Sequence, residues 1–153
     1  MKVENILFPT DFSAGSAHAL PYAVDLARHY NAKLYIVHVV YDMTQATGMH
    51  IPHISTDEIY KEMSDWSLKE ITNCCIEETR GLDNVEKKVL NGIPWEEILN
   101  FAEEEKIDII VMGTYGRLGI ERFIFGNTAE RVVRRAPCPV MTVRVPTHRE
   151  KKD

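Results

Sequence analysis

The residues most able to do chemistry in this chain are three glycines near its end, Gly113, Gly116 and Gly126, followed by Asn127 and Thr128. They follow an apolar run, Ile107 to Met112, that reads as a buried strand, and they lead into a helix-like run, Thr128 to Arg135. A strand that ends in glycines and turns into a helix suits an anion. Glycine lets the backbone approach closely, successive backbone N–H groups form an anion nest, and the next helix presents free N–H groups at its positive end. Three turn glycines alone would mean little. The context of strand before and helix after points to phosphate. The pattern is not a P-loop, for no G-x-x-x-x-G-K-[ST] occurs, and no G-x-G-x-x-G follows the first strand.

Asp11 is the second candidate, at the end of the first apolar run. It reads either as a turn or cap residue, or as a hydrogen-bond partner of a ribose or adenine edge, or as a contact to phosphate through Mg²⁺. Asn127 and Thr128 read equally as helix caps or as ligand contacts. His50 and His53 are three apart, but no third metal ligand is signalled, so they are expected to be solvated loop residues. Cys74 and Cys75 are adjacent and Cys138 stands alone, so no disulfide framework is readable. No zinc spacing occurs. Buried free thiols are the expectation.

Composition bounds the rest. At 153 residues, 44% hydrophobic, the chain is expected to form one domain with a single substantial core. With 18 Lys and Arg against 23 Asp and Glu, its formal net charge of −5 argues against nucleic-acid binding. No apolar run approaches the roughly 20 residues needed to cross a bilayer. The start of the chain is too charged for a signal peptide, so the expected location is cytoplasmic. Arg117, Arg122, Arg131, Arg134, Arg135, Arg144 and Arg149 crowd the glycine-bearing quarter, either as a solvated face or as partners of an anion.

The elements that must position these residues alternate. Strands are expected at Val3 to Phe8, Lys33 to Val40, Val85 to Leu90 (more polar, hence near an edge), Ile107 to Met112 and Val140 to Val145. Helices are expected at Ser16 to Tyr30, with Pro21 early in it, at Thr56 to Glu78 with Ser55 or Thr56 as cap, from Pro94, and at Gly126 to Arg135. Ile59, Met63 and Trp66 mark the apolar stripe of the second helix, and Trp95, Ile98, Leu99 and Ala102 the buried face of the third. Alternating strands and helices give an α/β fold, a parallel sheet covered on both faces. Ligands of such sheets lie beyond the strand ends at the topological switch point. If the first and fourth strands are neighbours, the order is 3-2-1-4-5 and Asp11 and Gly113 meet there.

At this point the chain resembles a universal stress protein of the ATP-binding subclass. The resemblance runs over nearly the whole chain, through Ile6 to Asp11 with Ser13, Ala23 to Ala27, His38 to Val40, Gly92 to Pro94, Asp108 to Gly113 and Pro137 to Val140. Its most specific part is the pattern G-x2-G-x9-G-[ST], matched by Gly113, Gly116 and Gly126, with Asn127 where Ser or Thr is usual. The resemblance implies a five-stranded Rossmann-like sheet of the adenine nucleotide alpha hydrolase kind, with residues 1–146 as one domain and 147–153 as a charged tail. It implies ATP, with Mg²⁺, as cofactor. Thr10, Asp11, Val39 and Met112 would surround adenine and ribose, with Pro9 beside them. Gly113, Gly116, Arg117, Gly126, Asn127 and Thr128 would hold the phosphates, the Asn127 amide donating through its NH₂. It further implies a homodimer through Val140 to Val145 and a protein partner it does not name.

The residues themselves favour a binder over an enzyme. Phosphoryl transfer needs a positioned nucleophile and charge stabilisation, and no base or P-loop lysine is recognisable. Slow hydrolysis, nucleotidyl transfer and a nucleotide-independent interaction module are the alternatives. The segment Pro9 to Gly15 makes a poor phosphate loop for a transferase.

Overall fold

The computed structural model describes residues 1–42, 56–115 and 126–146. Their elements run β1 (Asn5–Pro9), α1 (Ala14–Tyr30), β2 (Lys33–Tyr41), α2 (Thr56–Asn73), β3 (Val85–Gly92), α3 (Pro94–Glu104), β4 (Ile109–Gly113), α4 (Asn127–Arg135) and β5 (Val140–Val143). The five strands form one sheet in the order β3-β2-β1-β4-β5, every pair parallel. The expected order is the observed one, and the switch point falls between β1 and β4.

Strand pleating sends alternate side chains to opposite faces, and two cores result. Ile6, Phe8, Leu34, Ile36 and Val111 pack with Leu20, Ala23 and Val24 of α1 and Ile71 of α2. Leu7, Tyr35, Val37, Ile110 and Met112 pack with Ile98, Phe101 and Ala102 of α3 and Ala129 and Val132 of α4. Burial on both faces explains why β1, β2 and β4 read as continuous apolar runs. The polar β3 is the half-buried edge expected of it.

Several boundaries move from their expected places. α1 begins at Ala14, because the Ser13 side chain accepts from Ser16 N and caps the helix there. Pro21 therefore falls at the start of the third turn of α1, on its exposed side. β4 begins at Ile109, because the Asp108 carboxylate turns to accept from the backbone N–H groups of Glu4 and Asn5 at 2.7 and 2.9 Å. β5 stops at Val143, and Arg144 to Pro146 are exposed. α2 ends at Asn73, five residues short of Glu78, where Cys75 takes a left-handed conformation (φ 65°) that no helix continues. Ser55, the alternative cap, lies outside the described residues.

The largest correction concerns the α2 stripe. Ile59, Met63 and Trp66 are 47%, 43% and 47% exposed, whereas the buried residues of the helix are Ser67 and Ile71. Periodicity reveals an apolar face but not what covers it. Here α2 seats only its C-terminal half on the sheet core.

Candidate functional site

The chain leaves β1 through Thr10, Asp11 and Phe12 into the start of α1, and short polar contacts bind this turn into one network. The Thr10 N–H donates to the Val37 carbonyl at 2.8 Å, and the Thr10 hydroxyl accepts from Phe12 N at 3.1 Å. The Asp11 carboxylate accepts from Ser13 N at 3.0 Å and from the Ser16 hydroxyl at 3.1 Å. The Thr10 and Ser16 hydroxyls are 3.1 Å apart. Asp11 thus works as a turn residue at the foot of α1. Phe12 sits at φ 61°, a strained setting for a bulky residue. Its ring is held by His38 at 4.5 Å and, edge-on, by Trp66 at 5.8 Å. His38, on β2, has Nδ1 2.8 Å from the Thr10 carbonyl. A carbonyl only accepts, so Nδ1 carries the proton.

Across the switch point, β4 and α1 meet backbone to backbone. A Cβ on Gly113 would lie 2.6 Å from the Gly15 carbonyl oxygen and 2.8 Å from its carbon. A Cβ on Gly15 would collide with the Tyr115 carbonyl oxygen. Gly113 is therefore required by the packing of α1 on β4, whatever part it takes beside a phosphate.

Beyond Gly113, the Thr114 hydroxyl is buried, and neither it nor the Tyr115 hydroxyl has a hydrogen-bond partner among the described residues. The Thr114 carbonyl accepts from Gly126 N at 2.6 Å, which fastens the start of α4 to the end of β4. Gly126 is the N-cap of α4, in place of Asn127 or Thr128, and among the described residues no side chain caps this end. The first-turn N–H groups of a helix have no intrahelical acceptor. Asn127 accepts from Arg131 Nε at 2.9 Å through its amide oxygen, which leaves its NH₂ to donate elsewhere.

The arginines of α4 are largely accounted for. Arg131 and Arg135 lie over the Trp95 ring at 5.2 and 4.8 Å, and Arg134 pairs with Glu130 at 3.0 Å. Trp95 thus serves as their stacking surface, while Ile98, Phe101 and Ala102 form the buried face of α3.

A cavity of about 430 Å³ opens at the ends of β1 and β2, against the exposed stripe of α2. Asp11, His38, Val39, Val40, Tyr41, Glu62, Met63, Trp66 and Ser67 line it. Of the residues expected at the site, Asp11 and Val39 share this cavity. Thr10, Gly113, Gly126, Asn127 and Thr128 lie around the switch point, and Pro9 and Met112 are buried in the sheet. Gly116, Arg117, His50 and His53 lie outside the described residues. Sequence reasoning missed His38, Met63 and Trp66 as lining, and Gly15 and Ser16 as supports. Met63 and Trp66, on a helix of mixed charged and apolar residues, were the available signal, but they read as core. Among the described residues no three His, Cys, Asp or Glu side chains could hold a metal ion together, and no helix is long and apolar enough to cross a membrane.

With this geometry in hand, the likeness to known proteins is specific. The model of the universal stress protein family matches residues 2–144. A universal stress protein of Methanocaldococcus jannaschii is 36% identical over 145 residues, 94% of this chain and 83% of its own. The solved structure of a universal stress protein from Lactobacillus plantarum superposes with a TM-score of 0.79 at 29% identity, over 94% of this chain and 99% of its own. That of a universal stress protein from Archaeoglobus fulgidus, in complex with dAMP, has a TM-score of 0.58 at 24% identity, over 93% and 98% of the two chains, a likeness of fold. The chain belongs to the universal stress protein family.

Proposed function

We propose that this chain is an ATP-binding universal stress protein that acts as a nucleotide-dependent interaction module, with ATP as an occupancy signal. The observation that carries the reading is the start of α4, fastened by Gly126 to the end of β4 beside a buried hydroxyl, both left without a side-chain partner among the described residues. Helix-start N–H groups, which have no acceptor within the helix, and a buried hydroxyl beside them fit a phosphate chain. The cavity beside Asp11 and Val39 is within the usual size range for small ligands, and its apolar wall of Val39, Met63 and Trp66 suits a base. A protein of the same fold holds dAMP.

In this reading Thr10, Asp11, Val39 and Met112, with Pro9, border adenine and ribose. Gly113, Gly116, Arg117, Gly126, Asn127 and Thr128 border the phosphates. No three-ligand metal cluster exists among the described residues, so Mg²⁺ would arrive on the phosphates, as is usual for this ion, and Asp11 would reach it from the protein side. The reading extends to residues 1–146 as one domain, to a homodimer through the C-terminal strand at Val140 to Val145, to a cytoplasmic location and to an unidentified protein partner. Hydrolysis has no evident base here, so turnover stays far below the roughly 1 per second of slow enzymes.

The test is calorimetric titration of the purified full chain with ATP, AMP and GTP in Mg²⁺, together with mass spectrometry of small molecules released on denaturation. ATP should bind one per chain and raise the melting temperature, by linkage worth about 2.7 kcal/mol at a hundredfold excess over Kd. Absence of both binding and co-purified adenine nucleotide would leave the nucleotide-independent module as the better reading.

A further inference from the structure

The sheet edge opposite the proposed dimer strand carries a second arrangement of reactive groups. α2 ends at Asn73, and the turn that follows holds Cys74 and Cys75. Cys74 N still donates to the Glu70 carbonyl at 2.7 Å, while Cys75 turns left-handed at φ 65°. That reversal brings two neighbouring side chains, which extended backbone would point apart, onto one side. Their Sγ atoms are 3.1 Å apart, with the Cys75 thiol donating to Cys74 Sγ. Both thiols are free and partly exposed. Lys87 Nζ braces the turn from β3, donating to the carbonyls of Thr72 and Cys74 at 3.1 and 2.7 Å. Glu70 and Glu78 are the acidic groups nearby.

Three uses of such a pair can be separated by geometry. A disulfide needs sulfurs about 2.05 Å apart and favours Cα atoms at least about 4.4 Å apart, whereas adjacent residues hold them at about 3.8 Å, so that ring is strained. Tetrahedral zinc, with Zn–S of about 2.3 Å, needs sulfurs about 3.8 Å apart and two further ligands. Among the described residues no third ligand is present. A centre bonded to both sulfurs at a similar length, with the sulfurs left 3.1 Å apart, subtends an angle of about 85°. That angle suits a three-coordinate pyramidal atom with a lone pair, which takes two thiolates and keeps one substituent of its own.

We propose that Cys74 and Cys75 form a two-thiol site for trivalent, thiophilic metalloid compounds, the chemical class of the organoarsenic(III) oxides. The binding step is a condensation without redox change. Two S–H bonds and the As–O bonds of R–As=O are broken, two As–S bonds form, and one water leaves carrying both thiol protons and the oxygen. The Cys75 hydrogen bond and then the Lys87 charge lower the pKa of Cys74, so Cys74 is the first nucleophile and Cys75 closes the chelate.

Phenylarsine oxide added to the reduced full chain provides the test. Intact mass should show one phenylarsenic group per chain, and two of the three thiols should become unreactive to a thiol reagent. Excess monothiol should leave the adduct in place, and 2,3-dimercaptopropanol should remove it. Cys138→Ser should behave as the parent. Cys74→Ser and Cys75→Ser should each yield an adduct that monothiol strips. Proteolytic mapping of the parent, which depends on no variant folding, should place the arsenic on the peptide holding both residues. No adduct on the parent, an adduct involving Cys138, or one that resists monothiol in either single variant overturns the proposal.

Discussion

The two walls around the strand ends are built in opposite ways. On the α1 side, backbone meets backbone at Gly15 and Gly113, and Thr10, Asp11, Ser13 and Ser16 satisfy one another at 3.0–3.4 Å. On the α2 side, Met63 and Trp66 stand 43% and 47% exposed above the cavity, and among the described side chains of that helix only Ser67 and Ile71 are buried. The first wall has no slack for a new atom. The second has surface to spare. Substitutions on the first wall should therefore cost stability before they cost affinity, and substitutions on the second the reverse, whatever their place in a motif.

The sharpest way to break that contrast is to add one methyl to the tight wall. Gly113→Ala should cost about 3 kcal/mol or more, because the added carbon meets backbone that cannot swing away. Urea unfolding should show a clearly lower midpoint. An unchanged midpoint would mean that α1 can retreat from β4, and the distinction between the walls would fail. It follows that loss of ATP binding in a Gly113 variant says little about phosphate unless stability is measured beside it.

Removing a polar link from the same wall should cost less. Ser16→Ala takes a donor from the Asp11 carboxylate and a partner from Thr10 inside a buried network. About 1–2 kcal/mol is the expected loss, read from the same unfolding curves. Ser13→Ala removes the cap of α1 and should cost about 1 kcal/mol. If either variant is as stable as the parent while ATP binding collapses, these hydroxyls belong to the ligand and not to the fold.

Much of this architecture was legible in the sequence, and the failures share one cause. Strands buried on both faces announce themselves as unbroken apolar runs, so the order 3-2-1-4-5 followed from alternation and one assumed neighbour pair. The Gly113 packing role was invisible because its partner, Gly15, is distant in the chain and ordinary in its own context. The α2 stripe was visible but its cover was not, since helical spacing records a face and leaves the neighbour unnamed. Asp11 stood correctly at a strand end, where turn and ligand roles predict the same residue. Asn127 and Thr128 read equally as caps and as ligand contacts, because both roles favour the same residues at a helix start. Gly126 holds the cap position, its backbone extended at φ −69° and ψ 160°, and the Asn127 oxygen accepts from Arg131 within the helix.

On the open wall, Trp66→Ala should spare stability and weaken ligand binding. Trp66 gives the fold an edge-on contact with Phe12 worth about 0.5–1.5 kcal/mol. Stacking of a base on an aromatic ring is worth about 1–3 kcal/mol, so ATP affinity should fall roughly tenfold. With Trp95→Phe as background, Trp66 is the sole tryptophan, and its emission should change as ATP is added. ATP bound with parental affinity by the alanine variant would place the base away from α2.

The smallest effect on the fold, and the finest test of how the molecule ends, lies at the free edge of β5. Thr114 N and Ile110 N donate to the carbonyls of Val143 and Pro139, so residues 139, 141 and 143 direct their backbone groups to β4. By alternation the N–H groups of Val140 and Thr142 point outward, away from the sheet. Thr142→Pro therefore removes an outward donor and no bond to β4, and proline is tolerated on such an edge. If β5 pairs with a second copy of the chain, that pairing loses a ladder bond and meets the proline ring, while the monomer fold is kept. Met141→Lys tests the same edge by placing a charge at a side chain that is 38% exposed. Light scattering should show a parent dimer that shifts toward monomer in both variants, with melting changed by less than about 1 kcal/mol in stability. A parent that is monomeric at micromolar concentration would show that this edge is left open, and that β5 ends the sheet without help from a second copy.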